Sequence, residues 1–250
     1  WLSNLKLRLS YGVTGNNAGV GPYDTQSLAN IKYYYNFGNS VANGYGYSMA
    51  NSELTWEKTT ELNLGVDFGF FNNRISGSVD VYNKTSKDLL MEMDTPFELG
   101  SATGSIYSNV GKVNNRGIEI QLNTVNYRNK DWNWETNFSF ARNINEIKEL
   151  NGEKEDLVGN KWFIGQPIDV IYGYKHLGIC TREQAQAYAQ DATKKTKFTE
   201  GTMIVWDKTG EGTIDASDRT ILGHCAPTWT GSMTSNLTYK NIDFSFSIYT

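Results

Sequence analysis

From Thr59 to Leu90 the chain alternates apolar and polar residues in two arms joined by a polar turn, and this pattern constrains the fold most tightly. Leu62, Leu64, Val66, Phe68 and Phe70 fall at every second position, against Asn63, Gly65, Asp67 and Gly69. A period of two belongs to a strand, because successive strand side chains leave on opposite faces. The alternation breaks at Phe71, Asn72, Asn73 and Arg74, then resumes as Ile75, Gly77, Val79 and Val81 against Ser76, Ser78, Asp80 and Tyr82. The stretch therefore predicts a hairpin of two long antiparallel strands. One face is greasy and the other small and hydrophilic, which suits either a sheet with one wet side or a barrel wall between lipid and water.

The pattern recurs along the chain. Leu5, Leu7 and Leu9 alternate with Lys6, Arg8 and Ser10, and Ile118, Ile120 and Leu122 with Glu119, Gln121 and Asn123. Trp132, Trp134, Thr136, Phe138 and Phe140 oppose Asn133, Glu135, Asn137 and Ser139, and Trp229 to Tyr239 pairs with Ile242 to Tyr249 across Lys240 and Asn241. About seven strands follow from this count. Short polar turns near Asn72, Asn129 and Asn241 join some of them, whereas stretches at roughly 14–54, 88–113 and 145–227 are predicted as long loops. Sandwiches space their strands evenly, while outer-membrane barrels combine short periplasmic turns with long extracellular loops. The asymmetry points to a barrel wall, all-β and antiparallel, meandering up and down. Trp1, Trp56, Trp132 and Trp134 near strand ends suit an aromatic girdle. Inside the longest loop, Thr181 to Ala192 offers a capping Thr, good helix formers and no Gly or Pro, and predicts one short surface helix.

Composition narrows the functional classes. A length of 250 residues, 13% aromatics, 24 Gly and only 4 Pro favour strands and turns over helices. The net charge of −4 leaves no basic footprint, so no nucleic-acid partner is expected. No run approaches the roughly 18 apolar residues of a transmembrane helix, and a mean hydropathy of −0.50 is compatible with barrel strands carrying long polar loops. The chain starts at Trp1 without Met and reads as an interior fragment or a processed chain. Cys180 and Cys225 leave a disulfide and two free thiols equally open. A zinc set with His176 and His224 is disfavoured, because there is no Cys-x-x-Cys pair and neighbouring His224 and Cys225 point apart on extended backbone.

One stretch has ion-binding spacing. Taking Asp207 as the first position, Thr209, Glu211, Thr213, Asp215 and Asp218 follow at positions where a tight loop converges oxygens on calcium, with Gly212 at the sharp turn. Thr209 is neutral and Asp218 shorter than the usual closing Glu. The competing reading is a Gly-rich turn held by its own hydrogen bonds, with a side-chain cation as counter-charge. Catalytic motifs are lacking: there is no Gly-x-Ser-x-Gly elbow, phosphate-binding Gly loop or His-Glu-x-x-His, and Glu57 and Glu61 alternate as ordinary wall residues. The chain is not expected to be an enzyme.

Five segments, LKLRLSYGVTGN, LTWEKTTELNLGVDFGFFNNRISGSVDVYNKTSKDLL, NVGKVNNRGIEIQL, IGQPIDVIYGYKHLGI and WDKTGEGTIDASDRTILGHCAPTWTGSMTSNLTYKNIDFSF, occur in register over nearly the whole chain. Together they resemble the SusC/RagA family of TonB-dependent outer-membrane transporters of Bacteroidetes. The resemblance implies a barrel of about 22 strands with an N-terminal plug, energised by the TonB complex and capped by a SusD-like surface lipoprotein. This chain would be part of the C-terminal barrel, with the plug and final strands outside it. The cargo would be oligosaccharides or oligopeptides, met by aromatic side chains on the loops: Trp162, Tyr172, Tyr174, Trp206, Tyr33, Tyr34 and Tyr35. In this reading the Leu62 to Phe70 face meets outer-membrane lipid, Asn63, Asp67, Ser76, Ser78 and Asp80 face the lumen, and the turn at Asn72 is periplasmic. The family's usual loop carries Asn and Asp where this chain has Thr209 and Glu211, which implies weaker calcium binding here. The rival class is a soluble or surface-anchored, calcium-stabilised β-sandwich that binds carbohydrate.

Overall fold

The computed structural model describes residues 1–99 and 104–250, with the side chains of 30–33 and 97 outside the described set. In chain order the elements are β1 (Leu2–Asn16), β2 (Ala29–Phe37), β3 (Ser40–Tyr47), β4 (Glu57–Phe70), β5 (Ile75–Asp94), β6 (Ser105–Arg128) and β7 (Trp132–Glu149). They continue as β8 (Val170–Tyr174), β9 (His176–Ile179), α1 (Arg182–Gln190), β10 (Met203–Val205), β11 (Arg219–His224), β12 (Thr230–Tyr239) and β13 (Ile242–Tyr249). The chain divides into two units. The first comprises 1–158, 163–166 and 228–250, and the second 159–162 and 167–227.

The first unit is built on one antiparallel sheet with the order β1-β4-β5-β6-β7-β12-β13, the seven strands that the alternation predicts. Two-residue and other short turns connect it at one end. At the Asn72 turn Phe71, Asn72 and Asn73 all take left-handed backbone, with φ of 53°, 56° and 61°, and the Phe71 N–H donates to the Trp1 carbonyl at 2.8 Å. Lys240, also left-handed, closes the β12–β13 turn.

The predicted loops are shorter than expected. The 88–113 stretch is mostly strand, because β5 runs to Asp94 and β6 starts at Ser105. Register shifts beside Leu89, with Asp88 at φ 58°, move the strand's phase and hide its alternation from a period-two reading. The 14–54 stretch holds a hairpin of β2 and β3, paired from Ala29–Tyr47 to Phe37–Ser40. Tyr34, Tyr35, Val41 and Tyr45 on this hairpin are exposed, so no buried face imposes a period.

The second unit carries two small sheets, β8 with β11 and β9 with β10, and α1. Thr181 caps the helix in a reciprocal box with Gln184, as its sequence predicts. Cys180 is buried, Cys225 is exposed, and both are free thiols. Among the described residues no helix is long and apolar enough to cross a membrane, which says nothing of strands.

Candidate functional site

The seven-stranded sheet sorts its side chains into two faces. One row crosses every strand as Leu5, Phe68, Gly77, Leu122, Phe138, Met233 and Ile248. The adjacent row, on the opposite face, reads Asn4, Gly69, Ser76, Asn123, Asn137, Thr234 and Ser247. Apolar rows continue through Leu7, Val66, Val79, Ile120 and Phe140. Among the described residues no second layer covers this face: Leu5, Leu7, Leu9, Leu62, Leu64, Val81, Phe138, Phe244, Phe246 and Ile248 are exposed. The buried apolar residues of the first unit, Ile147, Leu150 and Phe163, lie at the end of β7 and beyond it. A sandwich would bury this face against another sheet.

Aromatics flank the apolar band. At the short-turn end Trp1 stacks on Phe70 at 6.0 Å and Trp132 meets Tyr239 at 4.3 Å; towards the other end Trp229 stacks on Phe140 at 6.0 Å. Where the hydroxyls of Thr136 and Ser235 enter the band they lie 3.3 Å apart and each also accepts from a neighbouring side chain. The Trp134 indole donates to Ser235 Oγ at 2.9 Å, and Asn126 donates to Thr136 Oγ1 at 2.7 Å.

The opposite face carries charge. The Arg8 guanidinium donates to both Asp67 oxygens, at 2.9–3.0 Å, and to Asp80 at 2.8 Å. Gly65 lies between them, and a Cβ there would come within 2.5 Å of Asp80 and 2.7 Å of Arg8, so a larger residue would shift the ends of those two side chains. Lys84 pairs with Glu61 at 3.1 Å higher on the same wall, and beside it Asn115 accepts from the Asn143 and Asn145 side-chain amides at 3.3 and 2.8 Å.

The aromatic candidates for substrate contact fall in both units. Tyr172 and Tyr174 share one face of β8, opposite Ile221 and Arg219. Arg219 lies over the Tyr174 ring at 5.3 Å and Lys175 over the Trp206 ring at 5.2 Å, while the backbone N–H of Trp206 donates to the Lys175 carbonyl at 2.9 Å. Each of those rings thus has one face occupied by a cation of its own chain. Trp162 is half-buried in the segment preceding β8. In the first unit Tyr34 and Tyr35 stand exposed on β2, and the Tyr33 side chain lies outside the described residues.

In the 207–218 loop the carboxylates turn onto the chain itself. Asp207 accepts from the Gly210 N–H at 2.7 Å, the Gly212 N–H at 2.9 Å and the Lys194 ammonium at 3.1 Å. Asp218, wholly inaccessible, accepts from the N–H groups of Lys208, Thr209 and Asp215 at 2.9–3.1 Å, and Asp215 accepts from Ser217. Asp218 is closed off by its own turn and not by a core. The Lys194 hydrogen bond, reinforced by Gly212 and Gly210, holds Asp207 below the ordinary carboxylate range, and the Asp207 carboxylate raises Lys194. Glu211 is exposed, and the Thr209 hydroxyl donates to Asp218 Oδ1 at 3.2 Å. As they stand these side chains do not fit a calcium ion; among the described residues no three His, Cys, Asp or Glu side chains gather as a metal set.

A cavity of about 490 Å³ escaped the sequence reading. Tyr23, Asp24, Gln26, Ser48, Glu92 and Tyr107 are among its lining residues. They come from the stretch around the β2–β3 hairpin and from the far ends of β5 and β6, and no local spacing links them.

A family model described as TonB dependent receptor-like, beta-barrel matches residues 1–247. The chain is 32% identical to TonB-dependent receptor SusC of Bacteroides thetaiotaomicron over 255 residues, covering 99% of this chain and 25% of that protein. A TonB-dependent receptor of Formosa agariphila is also 32% identical, over 279 residues, covering 98% of this chain and 26% of the relative. Among solved structures, the RagAB peptide transporter matches with a TM-score of 0.71 at 29% identity, covering 100% of this chain and 26% of that one. The RagAB peptide importer in its open-open state gives 0.74 at 30% identity, covering 99% and 26%. The chain thus spans about a quarter of the length of the relatives it matches.

Proposed function

The chain belongs to the TonB-dependent receptor β-barrel family, and from that premise we propose that it is a stretch of outer-membrane barrel wall in an importer of the SusC/RagA kind. The observation that carries this reading is the pair of seven-strand rows, one apolar and uncovered, the other polar and charged. Lipid needs the first face and a water-filled lumen the second. Through the band around Phe68, Gly77, Leu122, Phe138 and Met233 every interior strand pairs with a neighbour on each side, as hydrocarbon demands.

The importer takes up oligosaccharides or oligopeptides, with a SusD-like surface lipoprotein and the TonB complex as partners. Relatives include SusC and RagAB, the latter described as a peptide transporter. In this proposal Tyr34, Tyr35, Tyr172, Tyr174, Trp162 and Trp206, with Tyr33, meet cargo by stacking, and no residue performs covalent chemistry.

The test is uptake of fluorescent oligopeptides and oligosaccharides by cells with and without the full-length protein, before and after a protonophore. Import of one class that needs both the protein and the proton gradient is expected. Recovery of the intact protein in the aqueous fraction without detergent, or gradient-independent uptake, would overturn the proposal.

A further inference from the structure

The 207–218 loop has the spacing of a calcium loop, yet an ammonium from elsewhere in the chain sits on its first carboxylate. We propose that Lys194 is the loop's resident cation, a tethered charge that replaces a divalent ion and orders the loop in its absence. The inference does not depend on what the wall transports.

Geometry supports it from three sides. Lys194 Nζ lies 3.1 Å from Asp207 Oδ2, and the Asp207 side chain is only 12% exposed, so the pair is shielded more than an ordinary surface contact. The two cations of the loop's own stretch are engaged elsewhere: the Lys208 ammonium donates to the Arg219 carbonyl at 3.4 Å, and Arg219 lies over Tyr174. The backbone also delivers the lysine. The Thr196 N–H donates to the Gly212 carbonyl at 2.8 Å, and the Ile214 N–H donates to Thr196 Oγ1 at 2.8 Å. On the other side of Lys194, Gly212 passes so near Thr193 that a Cβ would fall 2.0 Å from its carbonyl oxygen. The 193–196 segment is therefore laid along the acidic loop with the lysine between two fixed contacts.

Tethering has a chemical consequence. A calcium ion must collect six to eight oxygens, and here both Asp207 and Asp218 spend theirs on N–H donors and, for Asp207, on Lys194. A neutral residue at 194 leaves Asp207 shielded and uncompensated, which invites a free cation in its place.

The experiment uses the full-length protein in detergent as wild type, Lys194→Met, Lys194→Arg and Asp207→Asn. Calcium chloride alone is titrated calorimetrically, and limited proteolysis within 191–219 is timed in chelator and in calcium. Wild type and Asp207→Asn should give the same calcium heats, and wild-type cleavage should ignore calcium. Lys194→Met should be cut about tenfold faster in chelator, the factor expected for losing one charge-assisted bond. Calcium should restore its resistance, and Lys194→Arg should keep the wild-type rate. Calcium uptake by the wild type that Asp207→Asn abolishes would overturn the proposal. So would a Lys194→Met protein as resistant as wild type, or one whose loosening calcium fails to reverse.

Discussion

Gly210 and Gly212 sit two residues apart with nearly the same left-handed backbone, φ 75° and 81°, but only Gly212 is crowded. Nothing lies within 4 Å of a Cβ built at Gly210, whereas one at Gly212 would strike the Thr193 carbonyl. Gly210→Ala should therefore cost only the left-handed penalty, about 1–2 kcal/mol. Gly212→Ala should cost more, because the 193–196 segment must also move. Hydrogen exchange of the loop amides checks this: protection lost at the Thr196 N–H in the second variant and kept in the first is the expected result. Equal effects at both positions would mean that the close approach is not what fixes the loop. Gly212 was legible as a turn glycine from its spacing. Its neighbour Thr193 was not, since the two are 19 residues apart and meet only through the path the chain takes after α1.

Nine-residue helices are marginal in water, and α1 has no buried residue to hold it. Its supports are the capping box, the Tyr188 ring set edge-on to Phe198 at 5.1 Å, and Lys197, whose ammonium donates to the Tyr188 carbonyl at 2.8 Å. Thr181→Ala should remove about 1 kcal/mol of helix stability, while Thr181→Ser should remove little. Faster exchange at the Gln184 and Ala185 amides in the alanine variant alone would show it. The cap could be read from the sequence because both partners lie within one turn. Strands β4 and β12 were legible for a similar reason, their faces being set by alternation alone. What stayed hidden depends on phase or distance: the bulge at Asp88 conceals the end of β5, the exposed tyrosines of β2 and β3 keep no period, and the 490 Å³ cavity joins segments about 80 residues apart. Tyr174 and Trp206 could be named as aromatics, but not the Arg219 and Lys175 that lie over them.

At the scale of the whole wall, strand pairing carries one residue's polarity across seven strands, so a charge has unequal consequences on the two faces. Phe68 lies in the row from Leu5 to Ile248 and its ring lies 5.6 Å from that of Phe70. Asn63 pairs with Ser10 and Tyr82 on the other face, near the Glu61–Lys84 ion pair. If the first face meets hydrocarbon, Phe68→Arg should destabilise the inserted barrel by roughly 2–4 kcal/mol near the midplane, because no water or carboxylate can follow the guanidinium there. Asn63→Lys should cost far less, since water and Glu61 are at hand. The measurement is the fraction of full-length protein that reaches the outer-membrane pellet and keeps its folded, heat-modifiable gel mobility. A water-bathed sheet would tolerate both changes alike, because an arginine on a wet face loses only the buried area of one ring. Folded Asn63→Lys beside depleted Phe68→Arg is the expected result; equal yields would place water on both faces and end the barrel-wall reading.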